Sequence, residues 1–189
     1  EQAVKWAHAG IMSNQGQICT ATSRILVQRD IYPQFIAKYK ETVSEVSKIG
    51  SQWDEATFQG PQISKAQLDR ILSYVDKGKA EGATLAIGGK ACPIDGKGFF
   101  VQPTVFTDVK EDMAIWREEV FGPFAVIGTF EDESEAIARA NNSEYGLGAS
   151  VFTRDIEKAH RVASEIEAGM VWINSSQDSD PRIPFGGVK

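Results

Sequence analysis

Cys19 stands in the run Asn14-Gln15-Gly16-Gln17-Ile18-Cys19-Thr20-Ala21-Thr22-Ser23-Arg24, and it is one of two cysteines in the chain. A thiolate is a strong nucleophile, and backbone N–H groups in a turn favour that ionised form. A cysteine taken at random is more often a small core residue. The flanking Asn, Gln, Thr and Ser side chains argue against a core position here, because apolar surroundings would leave them without hydrogen-bond partners.

Two further segments carry ligand chemistry. Arg117-Glu118-Glu119-Val120-Phe121-Gly122-Pro123 joins adjacent carboxylates, an aromatic ring and a turn. A carboxylate can accept hydrogen bonds from both hydroxyls of a ribose, and an aromatic can press on a flat heterocycle. A solvated charged loop with a buried Phe is an equally good reading of this segment alone. Val171-Trp172-Ile173-Asn174-Ser175-Ser176, followed by Pro184-Phe185-Gly186-Gly187, ends an apolar run on an amide. In open α/β sheets ligands gather at the carboxyl ends of strands, which draws attention to Asn174. Phe185 offers a pocket wall, and the polar stretch between them reads as surface loop.

Other residues with chemical potential lack a matching pattern. Cys92 lies in the turn-like Ala91-Cys92-Pro93-Ile94-Asp95-Gly96 and reads as a passive thiol. A Cys19–Cys92 disulfide stays open from sequence, and it would block chemistry at Cys19. The two histidines, His8 and His160, are far apart and not grouped with cysteines, so neither a metal site nor a Cys-His dyad is indicated. His8 falls near the apolar face of a helix, where packing is its default role, and His160 falls on a solvated side.

These groups need a frame, and the periodicity supplies one. Helices are expected over residues 2–13, 31–49, 64–82, 132–141 and 155–167, with strands over 24–28, 84–87, 99–106, 124–130, 149–152 and 170–174. The second helix carries the stripe Phe35, Tyr39, Val43 and Val46 and should end at Gly50. Residues 64–82 place Leu68, Ile71, Leu72 and Val75 on one face. Pro103 marks 99–106 as an edge or bent strand. The unbroken apolar run Phe124–Phe130 suits a buried parallel strand. Strand-helix-strand units in this order imply an α/β fold of three layers, a mostly parallel sheet with helices on both faces.

Composition narrows the class. With 42% hydrophobic residues over 189 positions the chain can bury a real core. A net charge of −6 offers no general attraction to nucleic acid or anionic membranes. No apolar run approaches the length of a membrane span. Two cysteines make no disulfide framework, which favours a reducing compartment: cytoplasmic, with a mitochondrial location open. The chain begins at Glu1 inside a helical pattern and reads as a segment of something longer.

Taken together, the segments resemble the aldehyde dehydrogenase superfamily. Asn14–Cys19 is similar to its cysteine signature, and Glu118–Pro123 to its cofactor-side motif. Gly60-Pro61, Phe100-Val101-Gln102-Pro103-Thr104, Ala140–Leu147 and Ile183–Gly187 match further landmarks in the same order over essentially the whole chain. The resemblance implies that residues 1–189 are the catalytic domain of an NAD(P)-dependent dehydrogenase. Cys19 would form a thiohemiacetal and then a thioester with an aldehyde, yielding a carboxylic acid. It further implies cofactor contacts from Glu119, Phe121 and Gln67, with NAD or NADP held mainly by a separate domain. The substrate pocket would draw on Ile18, Thr20, Asn174 and Phe185, with Asn174 supporting the cysteine loop. The polar stretch Ser175–Asp180 at the pocket mouth suits small or hydrophilic aldehydes. No metal is implied, and the whole protein is expected to be a homodimer or homotetramer.

The family is more than twice this long. Its cofactor domain, water-activating glutamate, oxyanion asparagine and oligomerisation strands have no counterpart here: no Glu-Leu-Gly-Gly segment and no Gly-rich dinucleotide fingerprint occur. The segment alone is therefore expected to be inactive. Two other readings stay open: an acylating dehydrogenase that passes its thioester to coenzyme A, and a non-catalytic interaction protein on the same fold.

Overall fold

Alternating side chains on one strand organise the whole molecule. In the computed structural model, which describes all 189 residues, β4 (Phe124–Phe130) sends Phe124 and Val126 to one face of its sheet and Ala125 and Ile127 to the other, and all four are buried. Each face then gathers its own core. On one side Phe124 and Val126 pack with Ile71, Tyr74 and Val75 of α3 (Lys65–Ala80). Ile115 and Trp116 of the short α4 (Ala114–Arg117) complete this cluster. On the other side Ala125 and Ile127 pack with Val4, Ala7, Ile11 and Met12 of α1 (Gln2–Met12). Tyr39 and Val43 of α2 (Tyr32–Val46) close that layer. The result is the expected three-layer α/β arrangement, each face burying apolar surface at roughly 25 cal/mol per Å².

The main sheet has the order β1-β4-β3-β2, with β1 (Arg24–Gln28) and β3 (Thr104–Thr107) both parallel to β4, and β2 (Thr84–Ile87) antiparallel to β3. After β4 the chain forms α5 (Glu133–Asn141), β5 (Gly148–Val151), α6 (Ile156–Glu165) and β6 (Met170–Ile173). β5 and β6 pair in parallel as a separate two-stranded sheet, so the parallel strands divide into two sheets instead of one. Side-chain oxygens of Ser64, Asp132 and Asp155 cap α3, α5 and α6 by accepting from the N–H three residues on.

Several local expectations need correction. The segment 99–106 is not an edge strand: β3 starts after Pro103, is wholly buried and lies between β4 and β2. Pro103 precedes the ladder, so its missing N–H costs no sheet bond. Gly50 does not end α2, which stops at Val46, itself 41% exposed. Gly50 is small for another reason, because a Cβ there would lie 2.2 Å from Thr57 Oγ1. No helix is long and apolar enough to cross a membrane.

Candidate active site

The cysteine loop is built by breaking a helix. After α1 a short 3-10 turn spans Ser13–Gly16, and Asn14, Gln15 and Gly16 adopt φ of 48°, 56° and 68° in succession. Left-handed backbone costs roughly 1–2 kcal/mol per non-Gly residue and persists where the surroundings over-determine it. Local bonds pin it: Asn14 Nδ2 donates to Gln17 O at 3.0 Å, and Gln17 N to Asn14 O at 3.1 Å. The chain then turns over Cys19, with Ala21 N donating to Ile18 O at 3.0 Å. Cys19 is exposed and free. Ile18 is half-buried, and Thr20 is buried against the start of β5, where a Cβ on Gly148 would lie 3.2 Å from the Thr20 Cβ.

The second loop meets the first through glycine. A Cβ on Gly16 would lie 1.8 Å from Gly122 O, so only a bare backbone permits the contact. This packs the Glu118–Pro123 segment directly onto the turn before Cys19. Phe121 holds φ 60° in that segment. Glu119 is exposed, and its carboxylate has no hydrogen bond or ion pair within the chain, while its backbone is held by Arg70, which donates to its carbonyl at 2.6 Å. Its N–H donates to the Tyr145 hydroxyl at 3.2 Å. Glu118 is engaged instead: the Tyr74 hydroxyl donates to it at 2.6 Å and holds its carboxyl below the usual range. One carboxylate is thus structural, and its neighbour is free to accept from a diol.

The remaining site residues play other parts in the geometry. Gln67 lies beside the Glu119 loop, but its Nε2 donates to Val120 O at 3.1 Å and Phe121 O at 2.6 Å. That donor holds the loop and is not available to a ligand. Asn174, at φ 59°, uses its side chain on Thr153: Oδ1 accepts from Thr153 N at 3.0 Å and Nδ2 donates to Thr153 O at 2.9 Å. It ties the ends of β5 and β6 and makes no bond to the cysteine loop. Phe185 is 62% exposed and lines a groove of about 340 Å³ with Met170, Ser179, Asp180, Pro181 and Ile183. Cys19 does not line that groove.

The two loops also share a position relative to the strands. The Cys19 loop leads into β1 and the Glu119 loop into β4, so both stand at the amino ends of parallel strands, opposite to the carboxyl-end rule that drew attention to Asn174. The Ser175–Ile183 stretch still reaches the cysteine loop's base, since Gln177 Nε2 donates to Gly10 O. A Cβ on Gly10 would sit within 2.7 Å of both Thr22 Oγ1 and Ser176 Oγ.

Other titratable groups stand apart. Cys92 is half-buried, and burial pushes its thiol up. His8 is buried, bonded to Ser47 Oγ at 2.7 Å, and lowered to about 4 by burial. His160 is exposed. No group of three His, Cys, Asp or Glu side chains is placed to hold a metal ion.

Comparison with known proteins decides the family: the sequence matches the Aldehyde dehydrogenase family over residues 1–189. The chain belongs to the aldehyde dehydrogenase family. It is 50% identical over 189 residues to an aldehyde dehydrogenase-like protein of Schizosaccharomyces pombe, covering 100% of this chain and 38% of that protein. It is 46% identical over 191 residues to the betaine aldehyde dehydrogenase of Brucella anthropi, covering 100% and 39%. The NAD+ complex of an aldehyde dehydrogenase from Bacillus cereus superposes with a TM-score of 0.96 at 45% identity, covering 100% of this chain and 38% of that one. The chain thus spans under two-fifths of the length of these aldehyde dehydrogenases.

Proposed function

We propose that residues 1–189 form the cysteine-bearing catalytic domain of an NAD(P)-dependent aldehyde dehydrogenase that converts aldehydes to carboxylic acids. The observation that carries this reading is the contact of Gly16 with Gly122, which packs the loop of the exposed Cys19 onto the loop that carries Glu119 and Phe121. The Cys19 sulfur adds to the aldehyde carbon while the carbonyl oxygen takes a proton, giving a thiohemiacetal. Bound NAD(P) supplies the hydride acceptor. Hydrolysis of the thioester then left on Cys19 frees the acid and restores the thiol.

The residues present fit such a cofactor in part. Glu119 offers an unpaired carboxylate for a ribose diol, and Phe121 an adjoining ring. Gln67 acts one step back, fixing the carbonyls of Val120 and Phe121 so that this loop keeps its shape. Asn174 fixes the β5–β6 ends from which the Ser175–Ile183 stretch departs. The polar run Ser175–Asp180, whose Gln177 reaches Gly10 of the helix before the cysteine loop, favours small or hydrophilic aldehydes. A substrate series in which long apolar aldehydes react best would contradict that preference.

The test uses the complete polypeptide that contains this chain. Cys19→Ser should abolish aldehyde-dependent NAD(P)H formation, and a thiol-reactive probe should label Cys19 ahead of Cys92. Full turnover in the Cys19→Ser protein would overturn the reading.

A further inference from the structure

A single extended segment touches both reactive loops. Gln59 is 1% exposed and donates from Nε2 to Met12 O at 2.6 Å. Met12 is the last residue of α1, immediately before the left-handed turn that presents Cys19. A helix that breaks this way leaves carbonyls with no intrahelical donor, and a buried one must be satisfied from elsewhere. Four residues on, Ile63 N donates to Gln17 Oε1 at 3.0 Å, two positions before Cys19. The Gln15 amide also lies against Gly60, with its Nε2 3.5 Å from where a Cβ would stand. Ser64 then caps α3, and Gln67 holds the carbonyls of Val120 and Phe121.

We infer that Gln59 is a positioning residue for Cys19, and that residues 59–67 act as a bracket fixing the cysteine loop and the Glu119 loop relative to each other. The inference rests on the reading of Cys19 as the nucleophile. Gln59 touches neither substrate nor cofactor in this scheme. It acts by satisfying the carbonyl at which the helix is cut, and so holds the turn in the one conformation that exposes the sulfur. Its amide is the buried end of the bracket, and Gln17 is the exposed end.

Gln59→Met keeps the volume and removes the buried side-chain donor to Met12 O. The readout is the ratio of alkylation rates at Cys19 and Cys92 under iodoacetamide, followed by peptide mass spectrometry on the complete polypeptide. A lost buried hydrogen bond predicts a fall of about tenfold in that ratio. Turnover should fall through kcat while the KM for NAD(P) changes little, because the Gln67 contacts are intact. Gln17→Met cuts the exposed tie without touching the core, and it should lower the ratio in the same direction by a smaller factor. It carries the test where Gln59→Met fails to fold. An unchanged or raised ratio in the folded variants overturns the inference. A wild-type protein in which Cys19 reacts no faster than Cys92 overturns the underlying reading instead, so the two failures are distinguishable.

Discussion

At the scale of single residues, adjacent identical side chains have separate duties. Glu118 is held by Tyr74 and by Lys77 at 3.6 Å, whereas the Glu119 carboxylate is unengaged. Glu119→Gln should therefore raise the KM for NAD(P) by about 10–100-fold, since hydrogen bonds to a charged acceptor are worth about 1.5–3 kcal/mol. Glu118→Gln should instead lower stability and leave that KM nearly unchanged. Steady-state kinetics and urea titration of both variants separate the two roles. His8 makes a pH prediction with a definite sign. Its folded value is lowered to about 4 by burial, below the unfolded reference of 6.5. Above pH 6.5 both states are neutral and His8 adds no pH dependence. As pH falls the unfolded chain binds the proton first, so stability is lost from about pH 6.5 down to about pH 4, by a total of about 3 kcal/mol. His8→Leu should flatten that limb in urea titrations across the same range. The exposed position of Cys19 was legible from its polar flanks. The ties of Gln59, Gln67 and Asn174 were not, because a polar side chain's partner is chosen by distant chain segments that periodicity does not see.

At the scale of elements, the decisive contact is a glycine pressed on a carbonyl. Gly16→Ala places a methyl 1.8 Å from Gly122 O and also forces φ 68° on an alanine. Gly82→Ala meets the second cost alone, since φ is +93° but nothing lies within 4 Å of its Cβ position. Gly82→Ala should cost about 1–2 kcal/mol, and Gly16→Ala clearly more, with loss of selective Cys19 labelling as well. Equilibrium unfolding of the pair tests this, and equal losses would show that the loop contact is not tight. Caps offer a milder comparison: Asp155→Ala removes the bond from Lys158 N and should cost about 1 kcal/mol. Helices with strong caps and strands with long apolar runs, such as α3 and β4, were readable from the sequence. The position of β3 was not, because a strand's neighbours depend on the sheet order. The division into two sheets was hidden for the same reason. The amino-end placement of the Cys19 and Glu119 loops was also hidden, since the carboxyl-end rule describes typical doubly wound sheets and these loops enter their strands.

At the scale of the whole molecule, what the chain carries and what it leaves exposed point the same way. Ile63 is 82% exposed within the bracket, and Ile183, Phe185 and Val188 are 57%, 62% and 62% exposed along the final stretch. Trp53 is 86% exposed on a loop. Ile183 and Phe185 share one groove with Met170 and Pro181, and a contiguous apolar patch marks a surface that other polypeptide can cover. The chemistry is similarly partial. In the proposed function Cys19 is the nucleophile and Glu119 one side of a cofactor site, but an oxyanion donor is worth about 3–4 kcal/mol of barrier and a general base roughly 10²–10⁴-fold. The resemblance to the family implies that both groups lie before the cysteine, outside these residues. Residues 1–189 alone, mixed with aldehyde and NAD(P), should consequently give no measurable NAD(P)H, even where iodoacetamide still labels Cys19. The same sample should self-associate in a concentration-dependent way on size-exclusion chromatography with light scattering, through the uncovered apolar surface. Clear turnover by a monomeric sample would mean that these 189 residues complete the site unaided, and the division of labour argued from the free Glu119 carboxylate would fall with it.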